Sequence, residues 1–230
     1  MSKMKIQFLG VCTTGGGANT SFVVNENICF EMGGGNVQLI KKYKLAPKYV
    51  IVSHYHPDHF ADVAELLIYN VFNVENQLLF VGDGIEKRVR TLCEVMDTDT
   101  DFFNVTRSFV DIKDQTEDFG EFVLTAKTLT HGDIESNAYV IEIGGKKLGY
   151  TGDVNMSPQL LEMLKLCDKW IIECTHENKE SLWHLNKDQV EQIANMYPDK
   201  TFYAVHRRKI EPQSKCKNIV FPNEGEVIEI

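Results

Sequence analysis

The sequence predicts a single-domain α/β protein, on three observations. Its 230 residues are enough for one sizeable core. Short strand-like runs separated by turns dominate the first third, and strand-like and helix-like segments alternate beyond it. A sandwich or a barrel of this length is ordinary, and no repeat or linker divides residues 1–230.

In order, strands are expected at Met4–Leu9, Ser21–Val24, Ile28–Glu31 and Tyr49–Ser53, punctuated by Gly15-Gly16-Gly17 and Gly33-Gly34-Gly35. Ala61, Ala64, Leu67, Ile68 and Val71 recur at a spacing that lines one helical face, so a helix should follow residue 60 and cover a sheet. A second helix is expected at Ile85–Met96. Strands follow near Phe109–Ile112, Phe122–Thr128, Ala138–Ile143 and Lys147–Thr151. Ser157-Pro158 starts a helix, Ser as cap and Pro in the first turn. Asn186-Lys-Asp-Gln189 resembles a capping box ahead of Val190, Ile193, Ala194 and Tyr197, and Thr201–His206 reads as a final buried strand. The tail from Lys209 to Ile230 mixes charged and Pro residues and carries no periodicity.

Composition narrows the class. No apolar run approaches the roughly 18 residues a membrane span needs, and Met1-Ser-Lys-Met-Lys-Ile-Gln-Phe-Leu lacks the apolar stretch of a secretory signal. The expectation is a soluble cytoplasmic protein. Six cysteines, at 12, 29, 93, 167, 174 and 216, show no CxxC spacing and are expected to be reduced and mostly core. The net charge of −9 argues against a broad surface tracking nucleic-acid phosphates. Long nucleic acid is therefore not expected as a partner, whereas bound metal ions could still draw a small anionic substrate.

The most informative segment is Tyr49-Val-Ile-Val-Ser-His54-Tyr-His56-Pro-Asp58-His59, a buried strand running into four potential metal ligands within six residues. Neutral imidazoles and carboxylates are what zinc accepts, and a loop at a strand end lets several converge. A solvated loop or mutually satisfied core histidines would be the plainer account. Against it, five of the seven histidines, with Asp58 and Asp153, fall at expected strand ends or helix starts, where ligands from separate elements can meet.

His54-Tyr-His56-Pro-Asp58-His59 also matches the HxHxDH signature of metallo-β-lactamase-fold hydrolases, and His131 in Leu129-Thr-His-Gly, Asp153 in Gly149-Tyr-Thr-Gly-Asp and His206 in Phe202-Tyr-Ala-Val-His follow in family order. The sequence most resembles the tRNase Z-like phosphodiesterase branch, through Phe8-Leu-Gly with Asn19-Thr-Ser21, Gly33-x-Gly35 with Gln38-Leu39, Ser136-Asn-Ala-Tyr-Val-Ile-Glu142, Glu173-Cys-Thr175 and His184. That resemblance implies an αββα sandwich with its site at one edge of paired sheets. It implies two zinc ions per subunit, or manganese: one held by His54, His56 and His131, the other by Asp58, His59 and His206, bridged by Asp153 and sharing an activated hydroxide. It further implies His184 as general acid, Glu173 as its orienting partner, a nucleophile-orienting role for Asp58, and a homodimer.

Other residues have plainer readings. His176 is expected at the surface, Gly15–Gly17 as a turn beside the site without the pattern of a phosphate-cradling loop, and Trp170 and Trp183 as packing before base-stacking. Phe72, Tyr139 and Trp183 are the possible stacking partners. Glu31 stands where the family usually has an aspartate supporting the metal loop. His131 and Asp153 are only 22 positions apart, where tRNase Z inserts a long arm that grips tRNA. A smaller phosphodiester fits this chain better. It is similar in compactness to phage anti-Pycsar phosphodiesterases, which ranks a cyclic nucleotide first. A tRNase Z-like endoribonuclease, a thioester or lactone hydrolase, and a catalytically silent ligand-binding protein are the alternatives.

Overall fold

The computed structural model describes residues 3–74, 77–98, 107–210 and 212–230. The first half comprises β1 (Lys5–Gly10), β2 (Ser21–Val24), β3 (Ile28–Phe30), α1 (Asn36–Tyr43), β4 (Tyr49–Ile51), α2 (Pro57–Phe60), α3 (Val63–Tyr69), β5 (Leu78–Gly82), α4 (Ile85–Val95) and β6 (Arg107–Asp111). The second comprises β7 (Thr116–Asp118), β8 (Val123–His131), β9 (Ile134–Ile143), β10 (Lys146–Tyr150), α5 (Pro158–Met163), β11 (Lys169–Glu173), α6 (Lys187–Met196), β12 (Thr201–Val205), β13 (Ile219–Val220) and β14 (Val227–Glu229).

They build two seven-stranded sheets, ordered β14-β1-β2-β3-β4-β5-β6 and β13-β12-β11-β10-β9-β8-β7. Each sheet is antiparallel through its first four strands in chain direction and parallel thereafter: β14 to β3 then β3 to β6, and β7 to β10 then β10 to β13. The two halves thus share a pairing pattern that no sequence repeat announces.

Successive strand residues face opposite sides of a sheet, and the apolar residues use both. Phe8, Phe22, Phe30, Tyr139, Tyr150, Ile171 and Tyr203 fill the space between the sheets, where Phe22 stacks on Phe30 at 4.6 Å and meets the edge of Tyr150 at 5.2 Å. Leu9, Val23, Cys29 and Val50 face outward under Val37 and Ile40 of α1, Leu66 and Leu67 of α3, and Ile85 and Val89 of α4. Trp170, Ile172, Phe202 and Ala204 face outward under Leu160 and Met163 of α5 and Val190 and Ile193 of α6. Helices therefore cover both outer faces, giving the expected αββα layering.

Local expectations are met where a specific side chain specifies the turn. Ser157 Oγ accepts from the Leu160 N–H ahead of α5, and Asn186 and Gln189 make both bonds of the capping box ahead of α6. The helix expected after residue 60 begins earlier: α2 already contains Asp58 and His59. Its continuation α3 buries Val63, Ala64, Leu66 and Leu67 while Ile68 is 40% exposed, so Ile68 does not belong to the core face assigned to it. α1, β5, β7 and β11 were not expected from the sequence. The tail also holds order, because β13 and β14 each close one sheet edge. Strands of two and three residues pair through backbone, leaving little periodicity to read.

All six cysteines are free, four of them buried. No helix among the described residues is long and apolar enough to cross a membrane.

Candidate metal centre

The expected ligands meet at one edge, beyond the carboxyl ends of the strands. His54 and His56 lie on the loop after β4, and Asp58 and His59 on α2, where Pro57 occupies the first helical position. His131 ends β8, Asp153 follows β10, Glu173 ends β11 and His206 follows β12. β8, β10, β11 and β12 run in one direction, so their ends share an edge. Two hydrogen bonds tie the β4 loop to the opposite sheet: Tyr139 Oη donates to the Val52 carbonyl at 2.8 Å, and the Asn137 N–H donates to the Ser53 carbonyl at 2.9 Å.

Backbone shape matters as much. Glu31 and His206 both adopt left-handed conformations, with φ of 64° and 58°, uncommon for residues with a Cβ and sustained here by the surrounding packing. At Gly33 a Cβ would lie 1.8 Å from the Asp58 carbonyl oxygen, so a glycine is needed there for α2 to dock.

The donors form two groups. His54 Nε2 lies 3.0 Å from His56 Nδ1, which lies 3.3 Å from His131 Nε2. His206 Nε2 lies 3.3 Å from both His59 Nε2 and Asp58 Oδ2. Asp153 Oδ2 stands between them, 3.9, 3.8, 3.3 and 3.4 Å from His54, His131, His59 and His206. Donors about 2.0–2.1 Å from a tetrahedral zinc would be roughly 3.3 Å apart, which these separations match. Each group has all its donor atoms within 4.8 Å of one another. Asp153 Oδ1 is buried without a hydrogen-bond partner among the described residues. These residues therefore fit a divalent metal.

Partners on the far side of each ring aim the donors. His54 Nδ1 meets Ser53 Oγ at 3.0 Å, His131 Nδ1 donates to the Trp183 carbonyl, and His206 Nδ1 meets Thr175 Oγ1 at 2.8 Å. His59 Nδ1 stands 3.5 Å from Glu31 Oε2. The Glu31 carboxylate accepts from the Ser53 N–H at 3.2 and 3.3 Å, so despite its extra methylene it reaches under the metal loop.

Burial pushes the His54, His56 and His131 imidazoles below their usual range, His131 to about 4, leaving lone pairs free for a cation at neutral pH. At His59 burial acts the same way but is outweighed by Asp153 and Glu31, which raise it well above the usual range. Burial opposes ionisation of Asp58 and Asp153 as well. The His206 hydrogen bond and His59 hold Asp58 low nonetheless, and His206 and His59 do so for Asp153.

His184 and Glu173 also come together here. His184 Nδ1 lies 3.1 Å from Glu173 Oε2 and 3.6 Å from Asp153 Oδ2, with 21% of its side chain exposed. Burial and then Asp153 raise the Glu173 carboxyl. Burial disfavours the charged His184 ring, but the Glu173 hydrogen bond outweighs it and raises His184. Asp153, Glu173, His184 and His206 form a further donor group, in which Glu173 Oε2 is already engaged by His184 and by the Thr175 hydroxyl at 2.7 Å.

Thr13, Ser53 and Thr175 escaped the sequence reading as site residues. Thr13 Oγ1 donates to Asp58 Oδ2 at 3.0 Å, and a lone threonine gives no spacing signal that would reveal it. His176 is partly buried with its ring 5.9 Å from that of His184, and it belongs to none of the donor groups. Trp170 is core. Trp183 is 38% exposed, its ring 5.3 Å from His131 and 6.3 Å from His56, which makes it a rim residue more than a packing one. Tyr139 lies sealed between the sheets and cannot stack on a base, while Phe72 is exposed. The Gly15–Gly17 turn lies beside the His206 loop: the Gly16 N–H donates to the Thr13 carbonyl, and the Thr13 N–H to that of Arg207.

No curated protein matches the chain in sequence. Among solved structures the fold is similar to YhfI of Bacillus subtilis, described as a metallo-beta-lactamase fold protein (18% identity, all of both chains, TM-score 0.82). It is also similar to the short form of human tRNase Z (18%, 98% of each chain, 0.74) and to a diphosphatase of the PhnP family (15%, 100% of this chain and 98% of that one, 0.74). The model of the beta-lactamase superfamily domain matches residues 38–207, which span all five donor-bearing strand ends, from the loop after β4 to His206. With its αββα layers and its edge cluster of His and Asp donors, the chain belongs to the beta-lactamase superfamily, as a hydrolase of the metallo-β-lactamase fold.

Proposed function

We propose that this protein is a zinc-dependent phosphodiesterase acting on a small phosphodiester, with a cyclic nucleotide the first candidate. The observation that carries the reading is the His184–Glu173 pair beside Asp153. A departing alkoxide needs a proton, whereas acyl transfer on such a scaffold can rely more on oxyanion stabilisation. Glu173 accepts from Nδ1 of His184, which leaves Nε2 as the ring nitrogen to donate the proton.

Zinc held by His54, His56 and His131, and by Asp58, His59 and His206 with Asp153 between, would lower the pKa of a shared water and neutralise phosphoryl oxygens; manganese is the alternative ion. Asp58, oriented by Thr13, is suited to align the attacking water. Glu173 also accepts from the Thr175 hydroxyl, which meets His206 Nδ1, so one carboxylate sets both the acid and a ligand.

A small substrate is supported by the segment between His131 and Asp153. β8, β9 and β10 are joined by the short turns at Gly132-Asp133 and Gly144-Gly145, forming a compact meander with no arm. A cytoplasmic location, supported by six free thiols, and a homodimer, supported by family resemblance, complete the reading.

The test is hydrolysis by zinc-loaded protein of 3′,5′-cyclic nucleotides, bis(p-nitrophenyl) phosphate, unprocessed tRNA and a thioester, with His56→Ala as control. Cyclic-nucleotide turnover that disappears in the variant is the expected result. Cleavage of tRNA alone would replace the small substrate with a large one, and turnover of the thioester alone would overturn the phosphodiesterase reading.

A further inference from the structure

We infer that Lys87 and Arg88 form an anion subsite beside the metal centre that receives a second phosphate of the substrate, beyond the scissile one. The inference deepens the phosphodiesterase reading and rests on it for the identity of the scissile group.

A cavity of about 490 Å³ adjoins His54 and His56, lined also by Tyr55, Asp83, Lys87, Arg88 and Glu135. Its volume is in the range of small-molecule sites. The carboxylates in its wall are already engaged: Lys113 Nζ donates to Asp83 at 2.9 Å and to Glu135 at 2.6 Å. Lys87 and Arg88, by contrast, have no carboxylate partner among the described residues. The cavity thus presents two unpaired cations in a chain of net charge −9.

Their positions are set by the fold. Ile85 and Val89 are buried under the first sheet, which fixes the rotation of α4 and leaves Lys87 and Arg88 exposed. The Arg88 guanidinium lies 5.0 Å over the ring of Tyr55, the residue between His54 and His56. Tyr55 is itself anchored by a hydrogen bond from its hydroxyl to the Asp83 carbonyl. Stacking orients the planar guanidinium while leaving its edge N–H groups for an anion, the geometry in which arginine recognises phosphate. Because the stacking ring belongs to the ligand loop itself, an anion on Arg88 would be held in register with a group at the metal centre. The chemical class this selects within that reading is a phosphodiester that carries a second phosphate group, the diester at the metal centre and the other phosphate at Arg88 and Lys87, in place of a cyclic nucleotide with a single phosphate.

The experiment is calorimetric binding of AMP and ADP to the full-length zinc-loaded protein and to Lys87→Ala/Arg88→Ala and Arg88→Gln variants. Wild type should bind ADP more tightly than AMP by about tenfold or more, as expected for charge-assisted hydrogen bonds, with the gap narrowing as salt rises. The double variant should lose that gap, and Arg88→Gln most of it, with AMP affinity and turnover of bis(p-nitrophenyl) phosphate unchanged. No preference for ADP in wild type, or the same preference in the double variant, overturns the subsite. Binding is read without turnover, so a protein that binds as expected but hydrolyses no phosphodiester would sink the phosphodiesterase reading and leave the subsite standing.

Discussion

His59 and His184 face the same carboxylate, Asp153, at 3.3 and 3.6 Å, and differ in what else they touch. His59 is fully buried among donors, whereas His184 reaches solvent and leans on Glu173. Replacing His184 with Ala should lower turnover of alkyl phosphodiesters by about 10²–10⁴-fold, the usual worth of a positioned acid. p-Nitrophenyl esters, whose leaving group departs without a proton, should keep most of their rate, and zinc content should not change. An equal loss on both substrates would instead make His184 a structural residue. At Glu31, replacement with Ala strands the buried Ser53 N–H and removes the carboxylate behind His59. Melting of the apoprotein should reveal a loss of about 1–3 kcal/mol, and zinc titration a fall in affinity of about 10–100-fold. Unchanged zinc affinity would mean that the contact to His59 is idle. The seven residues whose donor atoms gather at the sheet edge were legible in the sequence because their types and spacing are chemical signals. Thr13, Ser53 and Thr175, which aim them, were not, since a hydroxyl acquires such a role only by proximity.

Among the elements, α2 shows how closely the site depends on docking. Its Asp58 carbonyl occupies the space a Cβ at Gly33 would need. Gly33→Ala should therefore displace the ligand loop, costing about 1–3 kcal/mol as other overpacked sites do, and reduce bound zinc. Thermal melting and metal analysis together check this, and a variant with normal zinc content would show that the loop can shift without harm. Capping residues made α5 and α6 readable in advance. α1 lies behind a glycine cap at Gly35 with no side-chain cap bond, and so escaped notice. β13 and β14 escaped for another reason: their place depends on the exposed edges they cover, which local sequence does not encode.

For the whole molecule, three apolar clusters hold the layers together and the candidate metal centre sits at their edge. The donor histidines and carboxylates gather at the sheet edge beyond the strand ends, while the residues that hold the layers together lie between the sheets and under the helices. Chelating the metal should leave far-UV circular dichroism intact while lowering the melting temperature, because a ligand that binds only the native state stabilises it in proportion to its occupancy. Loss of secondary structure on chelation would mean that the metal belongs to the folding core.

The sequence by itself determined that this chain builds layered α/β structure and concentrates metal-binding chemistry, because periodicity and ligand type are local properties of the polypeptide. Tertiary structure alone decided that Glu173 joins His184 to His206 through Thr175, that Trp183 stands on the rim, and that Arg88 lies on Tyr55 beside His56. Those contacts join residues far apart along the chain, and they exist only once the strands and helices that carry them have paired, packed and brought the strand ends to a common edge.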